Sequence, residues 1–316
     1  MKAPPHLKLI ESSWQSTTPV AELTILGDAL MSRYGNSVAG ILYYGSCLRK
    51  GDATDGLVDL YVIVDDYRSA YGLSPRALFN WLLPPNVFYL ELPTAQGKVR
   101  AKYALLSLPQ LKRGTCCWFQ PYLWGRFAQP VALLRARDEA TSRELLQAMG
   151  QAVLSLIAAT VPVLPARFTA RDLWEQGLTH SYRTELRAER TGRQAELFSD
   201  GEPYYSELTA AALAHSPLPV RREGDGADCA YVADIGQARR WLAHLAWSLR
   251  KVQGRVLHVL RLVKGLFTFS GGVDYILWKL ERHSGVRVEV SDRVRRHPLI
   301  FGWGVVWRLY RRGAFR

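Results

Sequence analysis

The chain has 316 residues, 48% hydrophobic and 22% charged, enough to bury one large core or two ordinary ones. Its formal charge is +13 with a pI near 9.7, and the excess is uneven: residues 251–316 hold 14 Lys/Arg against 4 Asp/Glu, a net of +10. Several classes are excluded by the same inspection. No run of eighteen apolar residues could span a bilayer, the start Met1-Lys2-Ala3-Pro4-Pro5-His6-Leu7 lacks the apolar stretch of a signal peptide, and Cys47, Cys116, Cys117 and Cys229 show no Cys-x-x-Cys spacing for a zinc site or disulfide framework. The expectation is an intracellular, peripheral protein.

In chain order, Thr18-Pro19 reads as a helix cap and first-turn proline, Leu23, Ile25, Leu26, Leu30 and Met31 as a helical stripe, and Gly35 as its stop. A strand from Val38 to Tyr44 runs into Gly45-Ser46, and a second spans Leu57 to Val64. A helical turn near Pro75 to Leu83 precedes a third strand, Val87 to Leu92, which turns at Gln96-Gly97 and returns as Val99 to Ser107. Beyond Arg143 the period becomes helical: Leu145, Met149, Ala152, Val153, Leu156 and Ile157 lie on one stripe, ended by Pro162 and Pro165. Thr169 with Asp172 forms a capping box for the next helix. Arg221-Arg222-Glu223-Gly224-Asp225-Gly226 reads as a surface excursion, and helix resumes from Ile235 to Val263. No internal repeat is present.

Chemistry concentrates where the first two strands meet. Gly45 lets backbone approach a phosphate without a Cβ in the way, and Ser46 adds a hydroxyl and an N–H. Asp59, thirteen residues after Ser46, opens the second apolar strand, where an acid is costly unless it is paired or binds a cation. Phosphate donors beside a carboxylate that can hold Mg²⁺ form the layout of a nucleotidyltransferase site. Tyr61 follows Asp59 at the two-residue spacing, so no Asp-x-Asp pair exists; Asp55 and Asp65 share its parity and are the weaker metal candidates. Lys102, on a strand where an ammonium needs a partner, and Arg126 are candidates for triphosphate oxygens. Cys47, beside the phosphate loop, reads as a small buried residue.

Four further segments narrow the reading. Lys102-Tyr103-Ala104-Leu105-Leu106-Ser107, Trp118 with Tyr122-Leu123-Trp124-Gly125-Arg126-Phe127-Ala128-Gln129-Pro130-Val131, Ser181-Tyr182-Arg183-Thr184-Glu185-Leu186-Arg187, and Lys264-Gly265-Leu266-Phe267-Thr268 occur in that order. Together they resemble the signature segments of the mitochondrial-type phosphatidate cytidylyltransferases, CDP-diacylglycerol synthases of the nucleotidyltransferase superfamily. The resemblance implies an α+β protein with a nucleotidyltransferase-like mixed sheet (residues 1–140) and a mainly helical, winged-helix-like domain (141–250). A basic amphipathic C-terminal segment (251–316) follows. It also implies an enzyme that joins CTP to phosphatidic acid with Mg²⁺, giving CDP-diacylglycerol and pyrophosphate. Asp59 and Lys102 would be catalytic; Gly45, Ser46, Lys102, Arg126, Tyr182 and Arg187 would hold the nucleotide, the last two closing over it from the helical domain. The family's Trp-His…Asn and His-Tyr-Ser segments are replaced here by Asp66–Gly72, which has no histidine, so another lipid or alcohol acceptor stays open.

The C-terminal stretch His297–Arg312 mixes aromatic residues with arginine, as in a segment lying among lipid headgroups. Trp303, Trp307, Arg308, Arg311 and Arg312 are its membrane-contact candidates, on the cytoplasmic face of a membrane or, in a eukaryote, on the matrix side. Two alternatives stay beside this: that segment docks on the protein's own core, or the basic chain is a non-catalytic nucleotidyltransferase-like protein that binds nucleic acid.

Overall fold

The computed structural model describes residues 3–15, 20–51, 56–94, 97–185, 193–224, 229–268 and 291. Two helices, α1 (Pro5–Gln15) and α2 (Ala21–Tyr34), precede β1 (Val38–Tyr44). Gly35 ends α2 at φ +54°, and the apolar stripe reads through Leu23, Leu26 and Leu30, all buried. Short α3 (Ser46–Lys50) follows β1, then β2 (Val58–Val64), α4 (Tyr67–Tyr71), α5 (Pro75–Leu82), β3 (Asn86–Thr94) and β4 (Gly97–Ser107). Next come α6 (Leu108–Cys116), α7 (Trp124–Phe127) and β5 (Val131–Ala136).

These strands form one five-stranded sheet in the order β3-β4-β2-β1-β5. Only β2 and β4 are parallel; the other neighbours are antiparallel, so the sheet is mixed. Its strands are buried on both faces, which explains why β1 and β2 are nearly continuous apolar runs rather than alternating ones. Odd-numbered positions of β2, Tyr61 and Ile63, join one apolar cluster, whereas Val58, Leu60, Val62 and Val64 join the other, which packs under α2. Asp59 has the parity of Tyr61 and Ile63, so it belongs to the first face.

That first cluster continues without interruption into the helices. Its spine is α8 (Glu139–Thr160), capped by the Asp138 side chain on the Thr141 amide at 2.7 Å. Residues 139–163 are long and apolar enough to cross a membrane, yet 61% of that stretch's most apolar window is buried inside the protein, as befits a core helix. After β6 (Arg167–Thr169) comes α9 (Ala170–Tyr182), opened by the expected Thr169–Asp172 capping box. Then α10 (Arg193–Asp200) and α11 (Glu202–His215) bring Phe198, Tyr205 and Leu208 into the same core. The surface excursion expected at 221–226 is instead half strand: β7 (Val220–Glu223) pairs antiparallel with β8 (Ala230–Ala233), and β8 with β6, giving a small second sheet. Ladder hydrogen bonds come from the backbone, so exposed Arg221 and Arg222 occupy a strand despite their charge.

The last described element is α12 (Gln237–Thr268), 32 residues with no acid. It is fastened to the first sheet by cations. Arg261 stacks on Tyr122 at 4.0 Å and donates to the Pro84 carbonyl and the Gln120 side chain; Lys264 donates to the carbonyls of Leu83 and Pro85. The Leu83–Pro85 turn, with a cis Pro84–Pro85 bond, connects α5 to β3. Adjacent Cys116 and Cys117 are joined by a disulfide, which the sequence spacing did not suggest, while Cys47 is the small buried residue expected.

Candidate active site

At the end of β1 the chain turns at Gly45, φ +93° and ψ −160°, and enters α3 at Ser46. That φ is open to glycine and strained for other residues. Space enforces the choice as well, because a Cβ on Gly45 would lie 2.7 Å from Asp59 Oδ2. The reason is the register: Tyr44 pairs with Asp59 across the antiparallel β1–β2 ladder, so the acid of β2 lies against the bend that ends β1.

Gly45, Ser46 and Asp59 line a cavity of about 150 Å³ together with Tyr44, Arg49, Arg126, Gln129, Pro130, Tyr182 and Tyr205. Residues separated by up to 161 positions (44 to 205) thus meet at one place. Of the expected nucleotide-binding side chains, Arg126 and Tyr182 are brought to this wall. Arg126 rides on α7 and Tyr182 ends α9, and the two elements touch closely: a Cβ on Gly125 would sit 2.0 Å from Ser181 Oγ. Only a glycine allows the two segments to share that volume. Tyr182 Oη then donates to Gln129 Oε1 at 3.0 Å.

Arg126 is the most heavily partnered cation of the site. Its Nη2 is 2.9 Å from Glu185 Oε1, with the two side chains 14% and 10% exposed. Its Nη1 donates to Tyr44 Oη at 3.4 Å and its guanidinium lies 4.9 Å from the Tyr122 ring centre. Burial opposes the charge, but Tyr61, Glu185 and Tyr122 outweigh it and hold Arg126 firmly protonated. Burial, then the Asp59 carboxylate, pushes the Tyr44 hydroxyl well above its ordinary pKa, so Tyr44 remains a neutral hydrogen-bonding group.

Other expected residues fall differently. Lys102 is the β4 neighbour of Asp59 in the parallel ladder, on the same face, but it does not line the cavity. Asp65 is separated from the site, against the expectation of a weaker metal ligand: strand extension carries it past the far end of β2, where Arg137 pairs with it at 2.6 Å. Asp66 caps α4 through the Arg68 and Ser69 amides. Asp55, Arg187 and the membrane candidates Trp303, Trp307, Arg308, Arg311 and Arg312 lie outside the described residues. Among the described residues no group of three His, Cys, Asp or Glu side chains could hold a metal unaided. Asp59 is a single carboxylate on a polar cavity, which suits Mg²⁺ taken up with a triphosphate, because that ion is held by one or two carboxylates plus phosphate oxygens and water.

Two residues of the cavity were not anticipated. Arg49, three positions beyond Ser46 on α3, is half-buried and makes no ion pair or side-chain hydrogen bond among the described residues. Tyr205, from α11, is 1% exposed, and its buried hydroxyl has no hydrogen-bond partner among the described residues. Arg49 was visible only as one of many arginines; the i, i+3 spacing from Ser46 is the signal that would have found it.

Residues 71–196 match the family described as "Phosphatidate cytidylyltransferase, mitochondrial". Over that segment the chain is similar to the family. Two curated proteins of the same name are similar to it: one from Xenopus laevis, 27% identical over 144 residues, and one from Bos taurus, 26% identical over the same length. Each match takes in 45% of this chain and 41% or 42% of the relative, so it spans about two fifths of the relatives' length. The family match includes Lys102, Arg126 and Tyr182, whereas Gly45, Ser46 and Asp59 lie before it.

Proposed function

We propose that this protein is a nucleotidyltransferase that moves the cytidylyl group of CTP onto phosphatidic acid, forming CDP-diacylglycerol and pyrophosphate. The observation that carries the reading is the convergence of Gly45, Ser46, Asp59, Arg126 and Tyr182 on one cavity, joining the strand-end pattern to the family-like segments. The sheet with its following helices and small β6-β8-β7 sheet supports a nucleotidyltransferase core followed by a winged-helix-like part.

The reaction makes one Pα–O bond to the acceptor and breaks another to the leaving pyrophosphate. A phosphate monoester is already an anion at neutral pH, so no base has to remove a proton before attack. His180, on the same helix as Tyr182, is stacked on Trp247 at 4.9 Å and its pKa is pushed down to about 4 by burial, then by Arg183 and His244, so it serves packing. Gly45 gives the phosphates close backbone access, and Ser46 supplies donors beside them. Arg126, kept charged and fixed by Glu185, stabilises negative charge without reorganising. Tyr182 and Gln129 form a hydrogen-bonded wall that orients the nucleotide. Asp59 is the residue that would hold Mg²⁺, which would neutralise charge developing on the triphosphate.

Peripheral attachment to an anionic membrane surface, on the matrix side where the chain is mitochondrial, completes the proposal. α12 supports it: Leu242, Leu245, Leu249, Val252, Val256, Val259 and Val263 form an exposed stripe on a helix carrying seven Lys/Arg and no acid. Two such helices would repel each other, whereas an anionic bilayer matches both the stripe and the charge. The test is a thermal-shift panel of CTP, ATP, GTP and UTP with Mg²⁺. CTP-selective stabilisation that disappears in Asp59→Asn is expected; equal stabilisation by all four would remove the cytidylyl assignment.

A further inference from the structure

A second cavity, about 530 Å³, adjoins the first and shares three of its wall residues, Arg49, Pro130 and Tyr205. Its character is different. Leu9 from α1, Leu48, Val131, Leu197 and Tyr204 make its wall largely apolar, and Ser12 lies on its α1 side. Three features at the junction call for a ligand with an anionic end and an apolar body. Of the two guanidiniums on the polar cavity, Arg126 is already matched by Glu185, while Arg49 has no counter-ion among the described residues. The Tyr205 hydroxyl, buried at the same junction, has an unmet hydrogen bond, and leaving such a group unpaired is costly. Asp200 and Glu207 also line the second cavity, so a phosphate is repelled from that cavity and drawn to Arg49.

We propose that the second cavity is the acceptor-lipid site: Arg49 and Tyr205 bind the phosphate of a phosphatidic-acid-type lipid, and the Leu9–Leu48–Leu197 wall receives its glycerol and proximal acyl carbons. This rests on the cytidylyltransferase reading and supplies what it leaves open, the determinant of the acceptor. Arg49 sits on both cavities, so an acceptor phosphate held there is presented to a nucleotide lying on the Gly45–Asp59 side. Arg49 is here the specificity-determining residue, with Tyr205 a second contact to the same phosphate.

The test is steady-state kinetics of cytidylyl transfer with wild type, Arg49→Gln and Ser12→Trp, using dioleoyl phosphatidic acid in mixed micelles and glycerol 3-phosphate as the soluble phosphate monoester. Ser12 is an exposed α1 position, so the tryptophan fills the cavity without entering the core. Wild type is expected to favour the lipid in kcat/KM, and both variants to raise the KM for the lipid about tenfold or more while the KM for CTP stays within about twofold. Ser12→Trp should act on the lipid alone. An unchanged lipid KM in both variants, or an equal rise in the KM for CTP, overturns the acceptor site while leaving the cytidylyltransferase intact. Wild-type protein that makes no CDP-lipid overturns both.

Discussion

Asp59 and Gly45 are coupled more tightly than a shared cavity requires, since the glycine's missing Cβ is what leaves room for the carboxylate. Two predictions follow at this scale. Asp59→Asn keeps the shape of the side chain and removes its charge, so transfer should fall on the order of 10³-fold while the melting temperature is nearly preserved. Gly45→Ala should lose activity and also about 1–3 kcal/mol of stability in urea unfolding, because φ +93° is strained for alanine and the new methyl meets the acid. The pairing was legible in the sequence because it arises between strands joined by a short connection. Tyr205 was not legible and Arg49 only through its spacing from Ser46, since a cation and a hydroxyl left without partners among the described residues are defined by surroundings that the folded chain supplies. Asp65 misled for a related reason: parity puts it on the Asp59 face, but strand rise separates the two ends of β2.

Among elements, the arrangement depends on how α7, the end of α9 and α12 are fixed to the sheet. Glu185→Gln breaks the Arg126 ion pair at a poorly exposed position, and stability should fall by about 3 kcal/mol in denaturant unfolding, because the remaining guanidinium is left buried and uncompensated. Lys264 gives a pH signature. Burial, with Arg261 adding to it, lowers its pKa from 10.5 to about 7, and the neutral amine still has N–H groups for the Leu83 and Pro85 carbonyls. Between about pH 7 and 10.5 the unfolded chain therefore binds a proton that the folded chain does not, so this group's contribution to stability rises with pH across that window. Lys264→Met should flatten the rise when melting temperature is followed from pH 7 to 10. Element types were mostly readable: the Thr169–Asp172 cap and the four core strands β1 to β4 follow their patterns. β5, β6, β7 and β8 escaped because short strands carry little periodicity, and β7 is made mostly of charged residues.

For the whole molecule, charge asymmetry and an exposed apolar stripe give one expectation, attachment to acidic lipid. Co-sedimentation with phosphatidylserine or cardiolipin vesicles should exceed that with phosphatidylcholine vesicles, weaken with added salt, and drop sharply in the doubly substituted Leu245→Glu, Leu249→Glu protein. The basic excess was plain from composition, and residues 251–316 already read as basic and amphipathic; the open apolar stripe that begins at Leu242 required the fold. The account as a whole turns on whether the Gly45–Asp59 cavity performs chemistry on CTP. Mass-resolved product analysis of reactions containing CTP, phosphatidic acid and Mg²⁺ tests this most directly: CDP-diacylglycerol should accumulate with wild type and not with Asp59→Asn. Product at the same rate from the folded Asp59→Asn protein, or no nucleotidyl-lipid from wild type, would contradict it.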